Sequence, residues 1–192
     1  VGKELDSLTD VISFGVAPAF IMYFWTLNEL GKLGWLIVLI YIVCCALRLA
    51  RFNVTIHNTN SLWKENFFEG VPSPAAAGLV LLPLILSLSG LIQFENYIAL
   101  SSIAILITSI LMVSKIPTYS LKRILIPRNL AIFLLLGIGI YVSLLIFYTF
   151  ETLVISGLIY ILLIPVSFFH FKYLNKKSLV SAREEEETED VL

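Results

Sequence analysis

Charged side chains are scarce in this sequence. They make up 14% of its 192 residues against 58% hydrophobic, with a mean hydropathy of +0.92. A soluble domain carries about a quarter of its residues charged, so the deficit excludes an ordinary water-soluble fold. Cysteine is scarcer still: only Cys44 and Cys45 occur, side by side in an apolar run. Neighbouring cysteines are poorly placed to pair with each other, and both read as apolar packing residues. The two histidines, His57 and His170, are isolated, so no Cys/His spacing suggests zinc. No run shows the strict alternation of a transmembrane barrel. A signal peptide and internal repeats are likewise missing. What remains is an integral membrane protein of the helical kind.

What is there comes in long apolar runs. Six are near the roughly 20 residues needed to cross the hydrocarbon core: Asp6–Leu27, Leu33–Phe52, Pro74–Ile92, Asn96–Lys115, Arg128–Phe150 and Leu153–Tyr173. The expected fold is all-α, a polytopic transmembrane helical bundle over residues 1–174. Short connections, Asn28–Lys32, Gln93–Glu95 and Glu151–Thr152, alternate with longer polar ones, Asn53–Ser73 and Ile116–Pro127. Of the 13 basic residues only Lys32 falls on the short-connection side. The positive-inside rule therefore makes the longer loops cytoplasmic. Residues 175–192 are acidic around Arg183–Asp190 and read as a disordered cytoplasmic tail.

Asp6 and Asp10 are the most informative residues. They stand one helical turn apart at the start of the first apolar run, on the expected cytoplasmic side. Gly2, Asp6 and Asp10 share a helix face, continued by Ser13 and Ala17. Carboxylates at such a depth need metal, a cationic partner or water. Hard cations such as Mg²⁺ take carboxylate oxygens, and two acids one turn apart can share them. The plainer reading is acids favouring a helix start, against which Asp10 lies more than a turn inside. Because Val1 opens within this pattern and is not Met, the chain is expected to be a fragment.

Three other clusters gather on the same side. Arg48 and Arg51 in Ala46-Leu-Arg-Leu-Ala-Arg-Phe-Asn53 are three apart, suited to clamping a phosphate or carboxylate, or simply to snorkelling. In Gly70-Val-Pro-Ser-Pro-Ala-Ala-Ala77, Ser73 is expected to cap a helix, Pro74 to open it, and the small residues to permit close packing. Lys115–Arg123 is a basic loop with hydroxyls, for which anionic lipid headgroups are a sufficient explanation.

Gly2-x3-Asp6-x3-Asp10 resembles the second half of the CDP-alcohol phosphatidyltransferase signature, Asp-x2-Asp-Gly-x2-Ala-Arg-x8-Gly-x3-Asp-x3-Asp. The continuation to Ala19, with Ala46–Asn53, Gly70–Ala77 and Ile116–Lys122, looks like the phosphatidylserine synthase branch. The resemblance implies that two aspartates, an Ala-Arg pair and two helices lie upstream of Val1. The six runs would then be the last six of eight, and the fragment alone would be inactive. Carried over, Asp6 is a metal ligand and Asp10 both a ligand and the general base. The ions would be Mg²⁺ or Mn²⁺, two of them, with further ligands upstream. Implied substrate contacts are Gly2, Ser13, Arg48, Arg51, Asn53, Ser73, Ser120 and Lys122.

The implied reaction takes CDP-diacylglycerol and L-serine to phosphatidylserine and CMP, at the cytoplasmic face of a bacterial inner membrane. Membrane lipids are expected partners, a homodimer is compatible, and nucleic acid is not expected. Two alternatives stay open: a relative using glycerol phosphate or inositol phosphate, and, in another class, a transporter component binding a coupling cation.

Overall fold

Lipid offers no hydrogen bonds to a bare backbone, so apolar runs of this length satisfy their amides internally as helices. The computed structural model describes residues 2–55, 67–91, 95–114, 117–119 and 128–167, with side chains at 2, 5–51, 70–91, 95–114 and 132–167. Its first rod is α1 (Gly2–Asp10), a π-helical segment (Val11–Val16) and α2 (Ala17–Trp25) in unbroken succession. Asp10 and Ala17 keep α-region dihedrals, and the Ala17 N–H donates to the Ile12 carbonyl five residues back. A wider turn of this kind re-aims the residues that follow. After a 3₁₀ turn (Leu27–Leu30) come α3 (Lys32–Thr55), β1 (Phe67–Glu69), α4 (Ser73–Ser89), α5 (Tyr97–Val113), β2 (Pro117–Tyr119), α6 (Arg128–Phe147) and α7 (Thr149–Ser167). Asn96 caps α5, its Oδ1 accepting from the Ala99 N–H at 3.1 Å.

The described parts of the six expected segments are largely helical. Leu5–Trp25, Lys32–Arg51 and Thr149–Ser167 are long and apolar enough to cross a membrane; Ser73–Ser89, Tyr97–Val113 and Ile132–Phe147 are shorter apolar helices. With its family, given below, this makes the chain an integral membrane protein. The last expected connection is displaced. The chain bends at Tyr148, and Glu151 and Thr152 lie inside α7.

The all-α expectation holds, with one small addition. Two three-residue strands pair antiparallel, with Phe67 opposite Tyr119, Phe68 opposite Thr118 and Glu69 opposite Pro117. Loops that meet side by side must still satisfy their amides, and a short ladder does so. It fastens the α3–α4 connection to the α5–α6 connection.

The core lies where α3, α4, α5 and the π-helical segment meet. From α3 come Val38, Tyr41, Cys45 and Leu49; from α4, Ser73, Ala76, Ala77 and Val80; from α5, Ser101, Ile105, Thr108, Ser109 and Met112. Each set recurs at three- and four-residue intervals, one face of a helix. Small side chains predominate because lipid is as apolar as leucine, and close contact is what holds helices together there. Thr108 and Ser109 donate to the carbonyls of Ala104 and Ile105 at 2.7 and 2.8 Å, so their hydroxyls enter the core already paired. α7 joins through one face: Gly157 contacts Leu82, while Val154, Ile164 and Ser167 are buried. At the far end, Tyr23–Trp35 and Trp25–Tyr97 stack at 5.4 and 5.6 Å, the aromatic pattern of a membrane interface.

Candidate active site

Three helix ends, the end of α3, the start of α4 and the end of α5, meet near Asp10, the last residue of α1. The last four carbonyls of a helix have no partner within it, and at α5 the rest of the chain supplies them. The Val71 N–H donates to the Leu111 carbonyl at 3.4 Å, and Arg51 Nη1 to the Val113 carbonyl at 2.8 Å. A cation there also suits the negative end of the helix dipole. Gly70 makes the close approach possible. Its φ is +77°, and a Cβ would stand 2.7 Å from the Met112 carbonyl oxygen and 2.9 Å from that of Ser114. Only glycine combines that dihedral with that proximity.

The turn delivers Ser73. Pro72, not Ser73, occupies the N-cap, with extended dihedrals of −59° and 144° and no side-chain cap bond. The capping expectation is therefore corrected: Ser73 is already helical, it is buried, and its Oγ accepts from Arg48 Nη1 at 2.7 Å. Arg48 and Arg51, expected to act as a pair on one face, take different partners. Arg48 turns inward to α4 and Arg51 reaches the end of α5.

Around Arg48 the bundle assembles a polar cluster. Asp10 is half-buried and within electrostatic reach of both Arg48 and Cys45. The Cys45 thiol is hydrogen-bonded with Ser73. Cys45 also touches Gly15, where a Cβ would lie 3.2 Å from its Cβ and Sγ. That contact holds the first rod against α3, and the Tyr41 hydroxyl reinforces it by donating to the Phe14 carbonyl at 2.8 Å. From α7, Tyr160 comes within electrostatic reach of Arg48. Its hydroxyl and Arg48 Nε are both buried without a hydrogen-bond partner among the described residues.

Asp6 is exposed one turn before Asp10, and Gly2 is exposed one turn before that. Ser13, within the π-helical segment, and Ala17, at the start of α2, are exposed as well, while Gly15 between them is buried. Asn53 extends α3, but its side chain lies outside the described residues, as do Ser120, Lys122, both histidines and the acidic tail. Sequence reasoning missed Tyr160 and treated Cys45 as mere packing. The one tyrosine within the apolar α7 was the available signal, and nothing in the sequence tied it to Arg48.

The arrangement can hold charges of both signs. The oxygens of Asp6 and Asp10 are hard donors that fit one side of a divalent-ion site. Among the described residues no third carboxylate, histidine or cysteine joins them. The arginine behind them, half of its fork engaged, suits an oxyanion.

Residues 1–116 match the family model for CDP-alcohol phosphatidyltransferase. The chain belongs to this family. Residues 129–165 match a second model, CDP-alcohol phosphatidyltransferase 2. The family is generally dependent on divalent metal. Similar proteins include three named CDP-diacylglycerol–serine O-phosphatidyltransferase. That of Mycobacterium leprae is 31% identical over 175 residues, 91% of this chain and 58% of the relative. That of Mycobacterium bovis is 36% identical over 141 residues, 73% and 49% respectively. That of Helicobacter pylori is 38% identical over 134 residues, 70% and 54%. The chain thus spans about half the length of the curated relatives it matches. Within the family, the match over residues 1–116 takes in the acid pair, Arg48, Arg51 and Ser73 alike.

Proposed function

We propose that this chain supplies most of the membrane domain of a CDP-diacylglycerol–serine O-phosphatidyltransferase, transferring a phosphatidyl group to L-serine with release of CMP. The observation that carries the reading is the similarity, across 91% of the chain, to a relative bearing that name. The convergence of Asp10, Arg48 and Ser73 at one end of the bundle supports it in chemical terms.

Asp6 and Asp10 would hold a divalent ion, Mg²⁺ or Mn²⁺, with further ligands contributed upstream of Val1. When bound, the metal neutralises diphosphate charge and stabilises the leaving CMP. Asp10 takes the proton of the serine hydroxyl as that oxygen attacks the phosphorus bearing diacylglycerol. The bond to the CMP oxygen breaks, and CMP leaves with the electron pair. A carboxylate is a weak base, so the proton moves late and positioning carries much of the catalysis. Arg48 holds an anionic group of the substrates; Arg51 chiefly fastens α5 to α3. Six helices would span the membrane, the last six of eight, with this end facing the cytoplasm.

The test is CMP release and phosphatidylserine formation by the protein extended to include the upstream half of the motif. Serine-dependent release that stops in excess chelator is the expected result. Transfer to glycerol phosphate or inositol phosphate but not to serine would replace the acceptor assignment. The topology is checked separately, with Cys44 and Cys45 replaced by alanine. Asn28→Cys should then label with an impermeant reagent at the outer surface, and Asp6→Cys should not.

A further inference from the structure

We infer that Tyr160 is a substrate-binding residue, its hydroxyl acting with Arg48 Nε as a two-point site for an oxyanion. The inference rests on the transferase reading above and extends it to α7, which carries none of the four sequence blocks described above. Two observations carry it. The Tyr160 hydroxyl and the Arg48 Nε–H are each buried and each without a hydrogen-bond partner among the described residues. Tyr160 also packs against the buried core cluster, and the charge on Arg48 reaches its phenol. A buried polar atom left unpaired is costly, and such costs are tolerated where a ligand will repair them.

Donor geometry narrows the ligand. Nε–H can only donate, and the phenol can donate as well as accept. Arg48 Nη1 is already engaged by Ser73, so the open side of the guanidinium presents Nε. With the phenol donating as well, the two groups together match an oxygen-rich anion. That anion is the carboxylate of the amino-acid acceptor or a phosphate oxygen of the lipid nucleotide. The face of α7 is held for this purpose: Gly157 sits against Leu82 one turn before Tyr160, and Ile164 is buried one turn after it. Tyr160 is thereby directed into the bundle rather than toward lipid.

The experiment is Tyr160→Phe in the complete protein, which removes one oxygen and keeps the ring. Four quantities are measured: the Michaelis constants for serine and for CDP-diacylglycerol, kcat, and the melting temperature without substrates. A hydrogen bond to a charged group gives an expected rise in one Michaelis constant of about tenfold or more. A rise for serine identifies the carboxylate; a rise for CDP-diacylglycerol identifies the phosphate. The melting temperature should hold or increase, because an unpaired buried hydroxyl is lost. Unchanged Michaelis constants would overturn the assignment, leaving a hydroxyl satisfied by water. A fall in melting temperature with unchanged constants would overturn it too, in favour of a structural role. Absence of serine transfer in the wild-type protein would overturn the transferase reading and this inference together, so the two failures are distinguishable.

Discussion

α5 and α6 are both apolar helices, yet they have opposite fates. α5 buries a full face of Ser101, Ile105, Thr108, Ser109 and Met112. Along α6, from Ile132 to Phe147, every side chain is exposed except the half-buried Leu145, with Phe133 at 73%, Leu135 at 74% and Phe147 at 80%. The buried helix is the one richer in hydroxyls. In water that would be paradoxical; in lipid it is the expected order. Large aliphatic side chains gain nothing by leaving the hydrocarbon, whereas small and self-paired polar ones let backbones approach. The side chains of the candidate site follow the same division. Arg48, Asp10, Ser73 and Tyr160 gather around the α3–α4–α5 core, and nothing described on α6 joins them.

This contrast can be broken most decisively at Asp10. Asp10→Asn should lower turnover by about 10²- to 10⁴-fold, the usual contribution of a positioned base, while CDP-diacylglycerol binding is affected less. Asp6→Asn should instead raise the metal concentration needed for half-maximal activity. Metal titrations of both variants check the division, and robust serine transfer by Asp10→Asn would sink the assignment.

Next in size is the difference between the two arginines. Arg48→Lys keeps the charge but loses the planar fork that meets Ser73. A substrate Michaelis constant should rise by roughly tenfold or more, as for a lost hydrogen bond to a charged group. Arg51→Lys should do much less, because a lysine can also donate to a helix-terminal carbonyl. Steady-state kinetics of both variants, at matched expression, make the comparison. Equal effects would mean that Arg51 also meets substrate.

Gly70→Ala tests the turn that delivers Ser73. The backbone strain alone should cost about 1–3 kcal/mol, and the Cβ must also displace the Met112 and Ser114 carbonyls. A lower melting temperature together with a raised Michaelis constant is expected. The smallest effects belong to α6. Phe133→Leu and Leu135→Ile should change melting temperature and activity little, in line with about 0.5 kcal/mol for substitutions away from packed contacts. A large loss there would show that α6 is covered by something other than lipid.

The acid pair was legible because its information is local. Two carboxylates four residues apart share a face on any helix, and lipid makes their presence meaningful. The helices were legible for the same reason. The reading failed where a local rule had a distant competitor. Ser73 looked like a cap, but Pro72 holds that place and the hydroxyl faces Arg48, 25 residues earlier in the chain. Nor did helical spacing reveal that the π-helical segment turns Gly15 inward. The Asn53–Ser73 and Ile116–Pro127 connections showed no link in the sequence, and a three-residue ladder pairs Phe67–Glu69 of one with Pro117–Tyr119 of the other.

By itself the sequence determined that this is a helical membrane protein, where its helices run, that two acids begin the first of them, and which family its motifs resemble. Hydropathy, helical spacing and motif order are sums over neighbouring residues, and the chain carries them whether folded or not. Tertiary structure alone decided which apolar helices would be inside, how Arg48 and Arg51 would divide, and that Tyr160 would meet Arg48. Those outcomes depend on the shape of small-residue surfaces and on hydrogen bonds between residues far apart in the chain. Nothing local encodes either.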